Sequence, residues 1–408
     1  MRFYSSADLP TDLAKKSFAA NIARVMPNGT APLYALSGMA KKKTCLTIEH
    51  GYWTKKMQFL HVVLDAEVTS GTATTFSVES TDGVLVNQII RIPRPFSNGN
   101  YAAPEFARVT AVDYGGNNIT VERGFGGTSP LTTIASGAKL AVPFNAQPEG
   151  SPKPASRAVK PDRVMNYTQI FRNGWSQSRT MAAIKQVVGN GTVAENKQDA
   201  ITFHSQEIEY ATLFGRKYMG TDSQTGEPIH TMDGIEAVIN EHAPTNLREA
   251  GTTTNYEQLE DMLDPLLDWK TQSMSGNSRT IFCGSQALKV INNIGRLSGE
   301  YQLNDGQTNF GLSFKTFSTT RGRFNLVEHP LLNVNDDYKK MAFVVDLSSF
   351  DFAHLEGRDT QVEYINGDMK STDGTDATGG IFTTELTTEI DNPFAMGVLY
   401  NLRKASAS

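Results

Sequence analysis

The sequence predicts an α+β fold with more than one lobe, into which a small all-β domain is inserted. Three observations lead there. Runs of helical and of strand periodicity interleave along 231–365. The stretch 65–145 alternates apolar and polar residues at period two and carries no helical repeat. At 408 residues the chain is long for one compact core.

Near the start, Thr11 is suited to cap a helix, with Asp12 in its first turn. Phe18, Ile22, Val25 and Met26 then share one face, and Pro27-Asn28-Gly29 stops the run. No second helix follows closely to cover that face. The segment therefore reads as an N-terminal arm that docks on a neighbour, with Phe18 and Ile22 as contacts.

Within 65–145, the runs TTFSVES, LVNQIIRIPR, FARVTAVDY, NNITVERGF and AKLAVPF are separated by Gly71, Gly83, Asn98-Gly99, Gly115-Gly116 and Gly126-Gly127. Asn-Gly and Gly-Gly are hairpin punctuation. About five short strands at this spacing predict a small barrel or sandwich.

The stretch 143–162 holds Pro148, Pro152, Pro154 and Pro161, and Lys153, Arg157, Lys160 and Arg163 make it and its border basic. Prolines at this density favour extended chain. Two readings stand side by side, a mobile linker and an arm lying on a partner.

Residues 193–218 read as one long helix with an apolar stripe of Ile201, Ile208, Leu213 and Phe214, ended by Gly220. At ~1.5 Å per residue it is a rod of roughly 35–40 Å. Further on, 261–269 and 285–294 look helical, whereas TIFC, FKTFST, RFNLVEH and MAFVVDL look like strands. MAFVVDL is almost continuously apolar, as a strand covered on both faces requires. IFTTELTTEI and FAMGVLYNLR add two strand-like runs near the C-terminus.

Charge and motifs point away from catalysis. The formal net charge is −5, whereas a protein that grips DNA phosphates carries a basic excess. Cys45 and Cys283, the two cysteines, read as small buried residues, without a disulfide framework. No apolar run reaches the length of a membrane span, and the N-terminus lacks the apolar core of a secretory signal, so folding in a reducing cytoplasm is expected. G-x-S-x-G, H-E-x-x-H and Walker A motifs are missing. Gly189-Asn190-Gly191 and the glycines at 124–127 read as turns. The seven histidines show no metal-ligand spacing, and the acidic loops at 336–337 and 372–376 lack that of a calcium loop. No catalytic residue, cofactor or metal site is predicted. Trp269 reads as core. Trp53 and Trp175 border the segment that holds the β domain and basic stretch, as anchors of its base or at a subunit contact, where tryptophan is enriched.

Four stretches carry a family resemblance: IARVMPNGTAPLYALSG leading to GYWTKKM; NYTQIFRNGWSQSRTMAAI; EIEYATLFGRKYM followed by MDGIEAVI; and TIFCGSQALKVINNI with 324–330 and MAFVVDL. In this order they resemble the major capsid proteins of tailed bacteriophages, whose shared architecture is the Hong Kong 97-type capsid fold, also seen in encapsulin shells. The resemblance implies an N-terminal arm (1–56), an extended loop (57–64 and 146–179), the inserted β domain (65–145), a peripheral domain (180–231 and 362–408) with a spine helix at 193–218, and an axial domain (232–361). Phe18, Ile22, Trp53, Lys153, Arg157, Lys160, Arg163 and Trp175 become the expected subunit contacts.

The implied function is a structural, non-enzymatic one. Copies would form hexamers and pentamers of an icosahedral head around double-stranded DNA, touching the DNA only non-specifically. A separate scaffolding protein, a portal and a decoration protein are the implied partners, with no membrane; the site of action is the virion, after synthesis in the bacterial host cytoplasm. Lys153 and Lys160 lie where some relatives cross-link, yet no motif supports that chemistry, so no covalent link is expected. Two alternatives stand beside this reading. An encapsulin-like compartment would need a pocket for a cargo peptide. A β-rich carbohydrate-binding or tail-associated protein is opposed by the long helix and by the lack of a clear pair of catalytic carboxylates.

Overall fold

The computed structural model describes residues 39–55, 60–95, 102–156, 161–184, 192–251, 254–270, 277–298, 304–309, 312–319, 321–365 and 376–403. They fall into two compact units, one formed by the chain up to Tyr52 together with Arg163 onward, the other by Trp53–Asp162.

The larger unit is mixed α/β and holds two main sheets. The first runs in the order Lys41–Cys45, Phe350–Leu355, Ala377–Ile390, Gln169–Ser178, with Gln361–Ile365 also paired to Ala377–Ile390. The helix Thr192–Phe214 packs on it, burying Ala200, His204, Ile208 and Leu213, which follow one another by four, four and five residues. Ile201 was expected in that stripe but lies on the flank, 41% exposed. The helix also ends at Phe214, short of the expected 218. Gly215 terminates it: its N–H still donates to Ala211 O at 2.8 Å, and its own carbonyl accepts from Gly234 N–H at 2.9 Å. A Cβ on Gly215 would stand 2.7 Å from Met232 O, so only glycine fits. Gly220, the expected stop, sits inside the strand Tyr218–Thr221, which pairs with Pro228–Thr231.

The second sheet has seven strands in the order Leu247–Glu249, Gly397–Tyr400, Ala342–Val345, Ser278–Cys283, Arg323–Glu328, Leu312–Ser318, Asn304–Asn309. The run around Ala342–Val345 is buried throughout, as its apolar continuity demands. One face carries the helices Tyr256–Leu263 and Ser285–Ser298 with a core that includes Leu259, Leu263, Ile281, Ile291 and Phe324. Asn255 and Gln258 form a reciprocal capping box that starts Tyr256–Leu263, five residues earlier than the periodicity suggested; a 3-10 turn, Asp264–Leu267, takes up the rest.

The sheets join four segments to strands outside the parts in which the sequence reading placed them. Lys41–Cys45, placed in the arm, is a strand parallel to Phe350–Leu355. Gln169–Ser178, placed in the extended loop, is a ten-residue strand whose alternate residues Phe171 and Trp175 are buried. Phe350–Leu355, placed in the axial domain, belongs to the first sheet with Ala377–Ile390. Gly397–Tyr400, placed in the peripheral domain, joins the second sheet, the chain crossing over through the 3-10 turn Pro393–Ala395. In each case the strand finds its ladder in a partner distant in sequence, which local periodicity does not encode.

The smaller unit contains six antiparallel strands in the order His61–Val63, Lys139–Asn145, Gln88–Ile92, Glu105–Asp113, Asn118–Glu122, Thr75–Ser77. A bridge between Leu64 and Val78 closes the ring, with Asp65 N–H to Ser77 O and Glu79 N–H to Val63 O both at 3.0 Å. Closure removes the open edges that would invite wrong pairing. Inside lie Val62, Leu64, Phe76, Ile90, Val109, Ile119, Val121 and Leu140. Five of the strands match the five runs seen in the sequence. The sixth, His61–Val63, was assigned to the extended loop; three residues are too few to show a period. The Gly115-Gly116 turn is held by Asp113 Oδ1, which accepts both glycine N–H groups at 3.1 Å.

Candidate functional site

The expected contact residues divide sharply. Phe18, Ile22, Arg157 and Lys160 lie outside the described residues. Trp53 is 66% exposed, an indole left to water, and Lys153 and Arg163 are exposed. Trp175 is not a surface contact: it is buried beside Phe382 at 4.9 Å, meets Tyr364 edge-on at 6.0 Å, and is roofed by Lys197 Nζ at 5.6 Å from the ring. The alternation of Gln169–Ser178 turns it inward. Trp53 and Lys153 belong to the smaller unit, Arg163 and Trp175 to the larger.

Other large apolar side chains are exposed in the larger unit. Tyr218, Met219 and Ile229 stand on the hairpin, and Phe203 on the long helix. A half-open groove of about 430 Å³ lies beside Phe214, Glu236, Tyr338, Lys340, Tyr400 and Arg403, where the Tyr400 hydroxyl donates to Glu236 Oε1 at 2.8 Å.

Both cysteines are buried and free, and burial pushes each thiol above its usual range. His204 is buried between Asn173 and Thr384.

Polar chemistry is concentrated in buried pairs. In the barrel, Glu105 is fully buried and Arg123 grips it: Arg123 Nη2 donates to Glu105 Oε2 at 2.7 Å and its Nε to Oε1, while Leu131 N–H donates to Glu105 Oε2 at 2.7 Å. Burial alone would raise the Glu105 carboxyl; Arg123 and the backbone donors override it and hold the group below its usual range. In the larger unit, Arg279 is also buried, donating to four backbone carbonyls, among them Ser278 O at 3.0 Å and Ala395 O at 3.3 Å. It ties the strand Ser278–Cys283 to the crossover turn.

One face of Ala377–Ile390 is acidic. Glu385 accepts from Thr168 Oγ1 at 2.8 Å and pairs with Arg358 at 2.6 Å. Glu389 pairs with Lys43 at 2.8 Å and His50 at 2.9 Å, and Asp351 with Lys43 at 2.7 Å. Asp351, Glu389 and Asp391 bring one carboxylate oxygen each within 4.8 Å of the others, a grouping able to hold a metal ion. Sequence reasoning missed it because Asp351 is 38 residues from Glu389, and only the strand register unites them.

Comparison with known proteins gives the chain its place. Residues 5–403 match the family described as SU10 major capsid protein. The major capsid protein of Pseudomonas phage PaMx41 is 34% identical over 408 residues, covering 97% of this chain and 94% of that relative. Among solved structures, one from Mycobacterium phage Bobi is 8% identical with a TM-score of 0.48, covering 97% of this chain and 98% of that one. The holo-SrpI encapsulin complex from Synechococcus elongatus PCC 7942 is 12% identical with a TM-score of 0.42, covering 61% and 81%. With a family match along almost its full length, this chain belongs to the SU10 major capsid protein family.

Proposed function

We infer that this chain is the major capsid protein of a tailed bacteriophage, a structural shell subunit that assembles with copies of itself. The observation that carries the reading is the family match over 5–403 together with 34% identity along 97% of the chain. It acts in the virion, and its synthesis belongs to the cytoplasm of the bacterial host.

We propose the Hong Kong 97-type architecture for it. In that reading the five-stranded sheet and the long helix make the peripheral domain, and the seven-stranded sheet makes the axial domain. Within Trp53–Asp162, the stretch 65–145 is an inserted β domain flanked by the extended loop, and the N-terminal arm is rooted at Lys41–Cys45. Hexamers and pentamers then form through many individually weak contacts that add up by multivalency. Support for outward contacts comes from the exposed Trp53, Lys153 and Arg163. A separate scaffolding protein, a portal and a decoration protein complete the set of partners, and packaged DNA is touched without sequence preference. The net charge of −5 suits an inner wall that does not trap DNA.

The test is to express the chain alone and with the neighbouring phage genes, then image both by negative-stain electron microscopy. Closed shells, or rings of five and six, are expected. A persistent monomer in both preparations overturns the reading. Trp53→Ala tests the contact role: fewer shells with an unchanged melting midpoint is the expected result, and undiminished assembly removes Trp53 from the interface.

A further inference from the structure

Asp351 and Glu389 stand directly opposite one another in the antiparallel pair of Phe350–Leu355 and Ala377–Ile390. Like charges in that position repel. Asp391 follows, its N–H held by Ser349 O at 2.9 Å, and adds a third carboxylate. Two basic side chains face the cluster. Lys43 Nζ lies 2.7 Å from Asp351 Oδ2 and 2.8 Å from Glu389 Oε1, and His50 Nε2 lies 2.9 Å from Glu389 Oε2. Tyr52 is a further titratable neighbour, and Glu241 lies on the far side of it. Three carboxylates thus face one lysine ammonium and one imidazole.

A second observation is independent of the acid count. Asp351 is 5% exposed, yet its Oδ1 has no hydrogen-bond partner, although Oδ2 is bound by Lys43. Thr387 is fully buried on the same face of its strand as Glu389, and its hydroxyl also has no partner. Buried polar atoms left without partners are costly and uncommon, and an ion is one of their ordinary explanations. Carboxylate oxygens and water are the ligands that hard divalent cations take, and three oxygens within 4.8 Å of one another fit inside a Ca²⁺ coordination sphere, about 5 Å across at bond lengths of roughly 2.4–2.5 Å.

We propose that Asp351, Glu389 and Asp391 form a Ca²⁺ site, with Asp351 Oδ1 and one oxygen each from Glu389 and Asp391 as ligands and water completing the shell. Access exists, because Asp391 is only partly buried and the Lys43 side chain is 43% exposed. Bound Ca²⁺ would join the two strands beside the root of the N-terminal segment at Lys41–Cys45.

The test uses the full chain stripped with EDTA and then titrated with CaCl2, with MgCl2, and with NaCl at matched ionic strength. Calorimetry and the thermal midpoint are the readouts. Expected are one saturable Ca²⁺ per chain, a rising midpoint with CaCl2, and a weaker response to MgCl2. Asp391→Asn, which keeps the side chain's shape, is expected to weaken Ca²⁺ binding by about tenfold or more. Lys43→Met, which removes the competing ammonium, is expected to tighten it. No saturable Ca²⁺ binding by the parent chain overturns the proposal, as does undiminished affinity in Asp391→Asn.

Discussion

Glu209 Oε1 and His329 Nε2 meet at 2.9 Å with both side chains fully removed from water. Glu209 comes from the last quarter of the long helix, and His329 follows the strand Arg323–Glu328. The contact therefore locks the helix that covers the five-stranded sheet onto the end of the seven-stranded one. Phe282, from the strand next to His329, meets its ring edge-on at 5.9 Å and shields the pair.

Truncating Glu209 tests how much that lock contributes. Glu209→Ala leaves a buried imidazole without its partner, and the expected loss is about 3 kcal/mol of unfolding free energy. Urea unfolding followed by circular dichroism measures it. A loss under about 1 kcal/mol would mean that the imidazole finds another partner and the pair does not hold the two sheets together.

The Glu105–Arg123 pair is the corresponding fixture of the barrel. Arg123 also donates to Ser70 O at 3.3 Å, Ala73 O at 3.4 Å and Leu131 O at 2.7 Å, pinning two loops to one strand end. Arg123→Met strands a buried carboxylate, at an expected cost of roughly 3–5 kcal/mol. The folded carboxyl titrates below its ordinary value of 4.5, so its contribution is present above that pH and lost as the pH falls toward the lower folded value. Chemical denaturation of the full chain at about pH 7 and pH 4 should show this acid loss in the parent and a smaller one in Arg123→Met. An equal acid loss in both would assign it to other groups.

What could be read from the sequence was local. The five barrel runs, the apolar strand at Ala342–Val345 and the long helix each carry their own period, and each is found. What could not be read depends on pairing across distance. Trp175 looked like a surface anchor because nothing nearby shows that Gly380 lies opposite it in the ladder, where a Cβ would collide with the indole. His204 was unremarkable until Asn173 and Thr384, from two strands, closed around it. The acid cluster was hidden for the same reason, since Asp351 and Glu389 become neighbours only through their register. The family resemblance needed no such contacts, because it rests on the order of whole segments.

Gly215 and Gly234 supply a prediction about backbone approach. The long helix ends against the start of Ile235–His242, with Gly234 N–H donating to Gly215 O at 2.9 Å. A Cβ on Gly234 would sit 2.7 Å from both Ala211 O and Gly215 N. Both obstacles are backbone atoms and cannot rotate away. Gly234→Ala is expected to destabilise the chain by about 1–3 kcal/mol, as overpacking does. A thermal melt of the purified variant checks it, and an unchanged midpoint would mean that the two helix ends part freely.

The last prediction concerns neutral pH. Asn173 Nδ2 donates to Glu207 Oε1 at 3.0 Å, which turns Asn173 Oδ1 toward His204 Nδ1 at 2.7 Å. On its other side the ring's Nε2 meets the Thr384 hydroxyl at 2.7 Å. Burial lowers the imidazole below its ordinary 6.5, against the opposing pull of Glu207. His354 is lowered in the same direction, again by burial first. Below pH 6.5 the unfolded chain takes up protons that the folded chain refuses, so stability is complete above that value and declines as the pH drops through the window beneath it. Urea unfolding at about pH 7.5 and pH 5.5 should show the decline, and His204→Gln should reduce it while leaving the part due to His354. If the variant declines as steeply as the parent, His204 is not among the groups that titrate, and the buried network around Thr384 tolerates a charged ring.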